Sequence, residues 1–334
     1  MPRRPAFPGT GDSACLMFDP GCFRNCSGRT DRLGRRIPLR GLRHALAVPA
    51  LKAAIAMAVI SPRWLLWKLA GLLGLLASLL PVRSNRIVRR HREAVMEPLG
   101  MPARTRDIYR YVLGGVLDFL HLSRRSDRRF EEVVRVSGGS NLTGALKQGR
   151  GAVVITAHYG AWELIPRATV LMGCRTAVVG RRLWQSGPDR ILTGLREKAG
   201  ITALDRSDGI MPIVRELRRN TAIGILIDQD TGAVQTDYVE FLGRPARTPT
   251  GPAGIAIRMG VPVVPLHIRR MPDSTYSLRM EEPIDPEDYR GASAVAGLTR
   301  ELNRRIEGWI AEDPRQWVWF HRRFKKTPGF DYPR

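Results

Sequence analysis

Hydrophobic positions fall into three regimes along the chain. Through residues 1–44 they are scattered among Arg, Gly and Pro without a sustained period, which predicts a disordered tail. Two nearly unbroken apolar stretches follow, Ala45–Ile60 and Trp64–Leu80, separated by Ser61-Pro62-Arg63 and closed by Pro81. Beyond them, short apolar runs bounded by Gly, Pro or Asp alternate with helical spacings. Val133–Val136, Ala152–Thr156, Ala177–Val179, Ala222–Ile227, Val261–Ile268 and Thr275–Met280 read as strands. Ile108, Val112, Val116, Phe119 and Leu120 recur at helical intervals. Ser207-Asp208 caps a helix with Ile210, Ile213, Val214 and Leu217 on one face, stopped near Asn220; Leu298, Leu302, Ile306, Trp309 and Ile310 mark the last helix. Near-continuous apolar strands separated by helices predict an α/β fold with a mostly parallel or mixed central sheet covered on both faces. No internal repeat is evident.

The second apolar stretch holds 17 residues, which rise roughly 25 Å as a helix, short of the ~30 Å hydrocarbon core of a bilayer. Lys68 interrupts it, Trp64 and Trp67 sit at one end, and Arg flanks both sides. The segment suits an interfacial anchor, a shallow insertion or a span, and a buried core helix reads the same way. A cleaved signal peptide fits poorly, because the preceding basic region is long and no Ala-x-Ala site follows. A start at Met57 would leave the second apolar segment and everything beyond it intact.

Charge sharpens this picture. The chain has 54 Lys and Arg against 31 acids, a formal +23, so anionic partners are expected: a membrane surface or nucleic acid. From Arg83 to Arg129 twelve Arg stand against five acids, interleaved with the apolar helical pattern. Beside an apolar anchor, a cationic face is most simply a surface for phospholipid headgroups, and otherwise a solvated helix face. Of the four cysteines, Cys15, Cys22 and Cys26 lack metal-site spacing and read as free thiols, while Cys174 reads as a small core residue.

Candidate chemistry concentrates at Thr156-Ala-His-Tyr-Gly-Ala-Trp-Glu163. His158 stands where an apolar strand ends, at the sheet edge where open α/β folds place ligands. Gly160 lets the chain turn, and Glu163 enters the next helix. Residues five apart on an ideal helix point about 140° away from each other, so a His158–Glu163 pair requires His158 to precede the helix. A histidine oriented by a carboxylate is a general base that takes a proton from a hydroxyl. Taken alone the spacing is weak, and a satisfied structural histidine fits it too.

Five ordered blocks add to it: His158-Tyr-Gly-Ala-Trp-Glu163; Val178-Val-Gly-Arg181 with Arg196 and Gly200; Gly224-Ile-Leu-Ile-Asp228-Gln229-Asp230; Val239 to Thr248 running into Gly260-Val-Pro-Val-Val-Pro265; and Gln316-Trp-Val-Trp-Phe-His-Arg-Arg-Phe-Lys325. Together they resemble the lipid A lauroyl/myristoyl acyltransferase family, within the lysophospholipid and glycerol-3-phosphate acyltransferase group, whose motif is H-x4-D/E. Gly180 and Leu242 depart from the aromatic residues common there, and Trp184-Gln185 from Lys-Asn.

The resemblance implies a glycerol-3-phosphate acyltransferase-like domain over 83–327, preceded by a membrane-anchoring segment over 45–82 and followed by a short tail, 328–334. It implies O-acyl transfer to a lipid A precursor at the cytoplasmic face of an inner membrane. His158 would be the general base and Glu163 its orienting partner, and Arg181 would position phosphate or carbonyl oxygen. Asp228 would support the site or bind acceptor sugar, or merely cap its loop, and Gln229 would lie with it among substrate-binding residues. His321, Arg322 and Arg323 would lie on the membrane surface or pack inside. The donor would be an acyl thioester on acyl carrier protein or coenzyme A. Direct transfer needs no metal or cofactor. No G-x-S-x-G elbow, Walker A loop, G-x-G-x-x-G or H-E-x-x-H occurs in the sequence. Within the class, another glycolipid, an aminolipid or a lysophospholipid is the alternative acceptor; outside it stand a nucleic-acid-binding protein and an inactive membrane scaffold. No nucleic acid is expected as partner.

Overall fold

The computed structural model describes residues 49, 52–181, 186–230 and 234–333. The basic tail and Cys15, Cys22 and Cys26 lie outside the described residues. Helices α1 (52–60) and α2 (Arg63–Leu79) come first, then α3 (Arg83–His91), continued by one π turn, α4 (Thr105–Leu122) and α5 (Asp127–Val133). Strand β1 (Val134–Ser137), α6 (Gly139–Leu146), β2 (Ala152–Thr156), α7 (Ile165–Leu171), β3 (Thr176–Gly180), α8 (Ser186–Lys198), β4 (Ile201–Asp205), α9 (Met211–Arg218) and β5 (Ala222–Leu226) alternate. A hairpin of β6 (Thr236–Phe241) and β7 (Arg244–Pro249) precedes α10 (Gly251–Met259), β8 (Val263–Arg270), β9 (Tyr276–Met280) and α11 (Ala294–Glu312).

The main sheet has the order β1-β9-β8-β2-β5-β3-β4. β8, β2, β5, β3 and β4 are parallel, β9 runs antiparallel to β8, and β1 runs parallel to β9, which makes the sheet mixed. β2 is buried at every position, as a central strand covered by helices on both faces must be. The apolar face of α11 (Leu298, Leu302, Ile306, Trp309, Ile310) is buried in the larger core cluster.

Two expectations change. Ser207 and Asp208 do not cap α9. Asp205 accepts from the Ser207 amide to hold a 3-10 turn over Arg206–Asp208, and Gly209 at φ 76° separates that turn from the helix. The β6–β7 hairpin was not anticipated, because Pro245 and Pro249 argue against a strand. Its two-residue turn, Leu242 (φ 51°) and Gly243 (φ 70°), has the paired positive φ of a type I′ hairpin.

No single described helix is long and apolar enough to cross a membrane; only α2 taken with α3 and its π turn passes that test, and the pair is bent by 91°. α2 packs along α4, burying Leu66, Trp67, Ala70 and Gly74. Its other face is apolar and open, with Trp64, Leu72, Leu76 and Leu79 all exposed. A buried carboxylate latches the two helices. Asp118 of α4, fully buried, accepts from Arg63 Nε (2.9 Å) and Nη2 (2.7 Å), Trp67 Nε1 (2.8 Å) and the Tyr276 hydroxyl (2.8 Å). Four donors thereby meet that carboxylate, one on Oδ1 and three on Oδ2, as a buried charge demands.

Candidate active site

The register of the central strands builds the site. β2 and β5 are parallel with Thr156 opposite Leu226, so His158 and Asp228, each two residues further on, leave the sheet at the same level. The His158 Nδ1 lies 2.8 Å from Asp228 Oδ1, the His158 amide donates to Oδ2 at 2.9 Å, and the Trp317 indole donates to the same Oδ2 at 2.8 Å. One carboxylate therefore fixes both backbone and ring of the histidine. Burial opposes ionisation of Asp228, but the imidazole and these hydrogen bonds outweigh it and pull the pKa down to about 2. An ionised carboxylate can only accept. Nδ1 is then the donor, which leaves the lone pair on Nε2. The His158 side chain is 13% exposed and Asp228 1%, so substrate reaches the imidazole and not the acid. The Trp162 ring stands edge-on to His158, 5.1 Å between centroids.

Glu163 does not orient His158. After Gly160 the chain enters a 3-10 turn over Trp162–Leu164, and that turn carries Glu163 to Arg196 of α8, which grips it through Nη2 (2.7 and 2.9 Å) and Nε (3.2 Å). His158 does precede the helix, as the pairing required, yet the carboxylate beside it comes from the neighbouring strand. The Asp228 oxygens are committed to the His158 amide and ring and to the Trp317 indole, and the side chain is 1% exposed. Gln229 is half-buried on the same loop, and Arg181 is exposed at the end of β3. A narrow pocket beside the Glu163–Arg196 pair is lined by Phe119, Phe130, Leu164, Leu195 and Ile201.

The last of the five sequence blocks closes the site from behind. Gly160 donates its amide to the Gln316 carbonyl (3.0 Å) and Val318 donates to the His158 carbonyl (3.2 Å), so 316–318 pairs with the His158 loop. Gly160 is at φ 60°, and a Cβ there would lie 1.9 Å from the Ile268 carbonyl oxygen, so only glycine fits. His321 and Arg323 pack inside rather than on a surface. Arg323 is fully buried and donates to the Arg247 carbonyl and, at 2.6 Å, to Thr248 Oγ1. Burial pushes the His321 pKa down to about 3, so the ring is neutral at physiological pH. Among the described residues no group of three or more His, Cys, Asp or Glu is arranged to hold a metal.

A carboxylate-oriented imidazole, its free nitrogen open at the carboxyl edge of a parallel sheet, is the arrangement of a general base for a hydroxyl. The sequence profile described as bacterial lipid A biosynthesis acyltransferase matches residues 50–326, and the chain belongs to that family. It is 28% identical over 188 residues to the phosphatidylinositol mannoside acyltransferase of Mycobacterium tuberculosis, covering 55% of this chain. To the lipid A biosynthesis lauroyltransferase of Escherichia coli it is 28% identical over 206 residues, covering 60% of this chain. The chain spans 58% and 65% of the lengths of these two curated relatives. The crystal structure of the 1-acyl-sn-glycerophosphate acyltransferase from Thermotoga maritima aligns over 67% of this chain and 95% of its own, at 14% identity and a TM-score of 0.34.

Proposed function

We propose that this protein transfers a fatty acyl chain from a thioester, on acyl carrier protein or coenzyme A, to a hydroxyl of a lipid A precursor. The observation that carries the reading is the His158 Nδ1–Asp228 contact of 2.8 Å, which leaves Nε2 to take a proton. In the proposed reaction the acceptor hydroxyl gives its proton to Nε2 as its oxygen bonds to the thioester carbonyl carbon. The C–S bond then breaks, and the leaving thiolate takes the proton back from the imidazolium. No covalent acyl-enzyme is needed, and the chemistry calls for no metal or cofactor. Glu163 contributes by fixing Arg196, whose guanidinium borders a small apolar pocket. The exposed leucines of α2, flanked by the cationic segment Arg83–Arg129, support seating on the cytoplasmic face of an inner membrane as an interfacial helix.

Equal identity to the mycobacterial relative supports a second acceptor, a phosphatidylinositol mannoside. Mass spectrometry of membrane lipids decides between the two, comparing cells lacking the gene with cells complemented by wild type, His158→Ala, Asp228→Asn or Glu163→Gln. The lipid class that regains an acyl chain identifies the acceptor. With purified protein, Asp228→Asn is expected to lower kcat by about 10³-fold, within the range for general-base catalysis, and Glu163→Gln by much less. Restored acylation by His158→Ala would overturn the mechanism; a larger loss in Glu163→Gln than in Asp228→Asn would return the orienting role to Glu163.

A further inference from the structure

Behind His158 lies a second buried carboxylate. Asp230 follows Asp228 by two residues in the loop that leaves β5, and it is fully buried. Among the described residues neither of its oxygens has a hydrogen-bond partner. A carboxylate withdrawn from water and without hydrogen bonds needs an opposite charge close by. Arg323 supplies that charge. Its guanidinium, also fully buried, lies over the Phe241 ring, 4.6 Å from the centroid. The same ring lies 5.7 Å from that of Trp317, whose indole holds Asp228. Burial lowers the Arg323 pKa to about 10, although Asp228 and Asp230 both attract the charge, so the guanidinium is still charged at physiological pH. Its hydrogen bonds go to the hairpin, at the Arg247 carbonyl and Thr248 Oγ1, and its Nε has no partner among the described residues.

One cation thus faces two carboxylates. While His158 is neutral, Asp228, Asp230 and Arg323 together carry one negative charge in excess; once the imidazole has taken a proton, the four groups balance. With Asp228 as its only partner, Arg323 would cancel the charge that the imidazolium needs. With both carboxylates and no Arg323, the imidazolium would be held too firmly to return its proton. The other titratable groups around them are neutral, paired or exposed. Burial keeps His91 of α3 and His321 neutral, with pKa values of about 4 and about 3, and raises that of Tyr332, which stays a phenol. Glu307 of α11 exerts a weaker pull on Arg323 and accepts from the Leu242 amide at 3.0 Å. Glu163 and Arg196 compensate each other, and Arg181 is exposed to solvent that screens it.

We propose that Asp230 is the counter-charge of Arg323, leaving the charge of Asp228 to His158, and that the two together set how readily His158 takes and returns its proton. Both are buried positioning residues that act on the imidazole through Asp228. This rests on reading His158 as the base of the acyl transfer.

NMR of the full chain, isotope-labelled at histidine, follows the protonation of His158 against pH without requiring turnover, its signal being assigned by loss in His158→Gln. Asp230→Asn is expected to move the midpoint about one pH unit or more to lower pH, because an uncompensated Arg323 opposes the imidazolium. Arg323→Gln should move it by a similar amount to higher pH, a tenfold change in the opposite direction. The two substitutions combined should bring the midpoint back towards wild type, since the pair is removed together. Arg323→Lys keeps the charge and loses the fork, so it should lower the melting temperature and leave the midpoint near wild type. A guanidinium that merely ties the hairpin to the C-terminal segment would instead change stability in every Arg323 variant and the midpoint in none. Single-variant shifts of the same sign, no shift in Asp230→Asn, or a double variant that does not return overturn the proposal. Thermal melts check folding, and should an Arg323 variant not fold, the shift in Asp230→Asn decides. If the midpoints move as expected while His158→Ala still restores acylation in cells, the charge balance stands and the base assignment falls.

Discussion

Asp228 holds three donors on two oxygens, and the most remote of them comes from residue 317. Trp317→Phe keeps the ring and removes only the indole donor. A hydrogen bond to a charged group contributes about 1.5–3 kcal/mol, so the variant is expected to raise the Asp228 pKa and lower kcat about tenfold. The sign follows from linkage. A carboxylate lowered from 3.8 to about 2 in the folded protein stabilises it fully above its unfolded pKa, and loses that contribution as pH falls through the folded value. Trp317→Phe should therefore begin acid unfolding at higher pH, followed by tryptophan fluorescence or circular dichroism. His158 was legible from its strand end and the glycine after it. Its partner was not, because nearness in sequence favoured Glu163, while nearness in space is set by the β2–β5 register. Asp228 carried a usable signal: it ends a buried apolar run of the same kind as the one before His158. The block that holds Trp317 was legible as a block, but nothing in the sequence marked its indole as a donor to Asp228.

Among the elements, the strands with continuous apolar runs were legible nearly to the residue, β2 at both ends. β4 escaped because it is an edge strand, half exposed and ending in Asp205, so neither face supplies a run of buried residues. α4 announced its apolar stripe but not Asp118, a charge buried within it, since periodicity assigns faces and says nothing about what a buried charge pairs with. Asp118→Asn tests how firmly α2 is held. Breaking a buried pair by removing one partner's charge leaves the other uncompensated, at a cost of about 3–5 kcal/mol. Urea unfolding should show that loss, and limited proteolysis should cut between α2 and α4 far sooner than in wild type. An unchanged midpoint and an unchanged cleavage rate would mean that the leucine and alanine contacts alone hold α2.

For the whole molecule, buried histidines set the response to acid. Burial is the first cause lowering the pKa of His91 to about 4, and of His267 and His321 to about 3, against an ordinary 6.5. Between these values and 6.5 the unfolded chain binds protons that the folded chain refuses, so stability is full above pH 6.5 and falls as pH drops. Each ring contributes a slope of about 1.4 kcal/mol per pH unit over its window. Chemical denaturation at pH 7, 6 and 5 should show a falling midpoint, and His267→Gln should flatten the slope; a midpoint independent of pH over that range would contradict the burial of these rings as neutral groups.

The pairing of 316–318 with the His158 loop also bears on timing. A ribosome that has released every strand of the sheet, through Met280, has made the imidazole and its carboxylate but not the indole that holds the carboxylate, nor the strip of backbone that braces Gly160. A nascent chain stalled before residue 317 thus carries the proposed base and its carboxylate without the indole and backbone pairing that brace them.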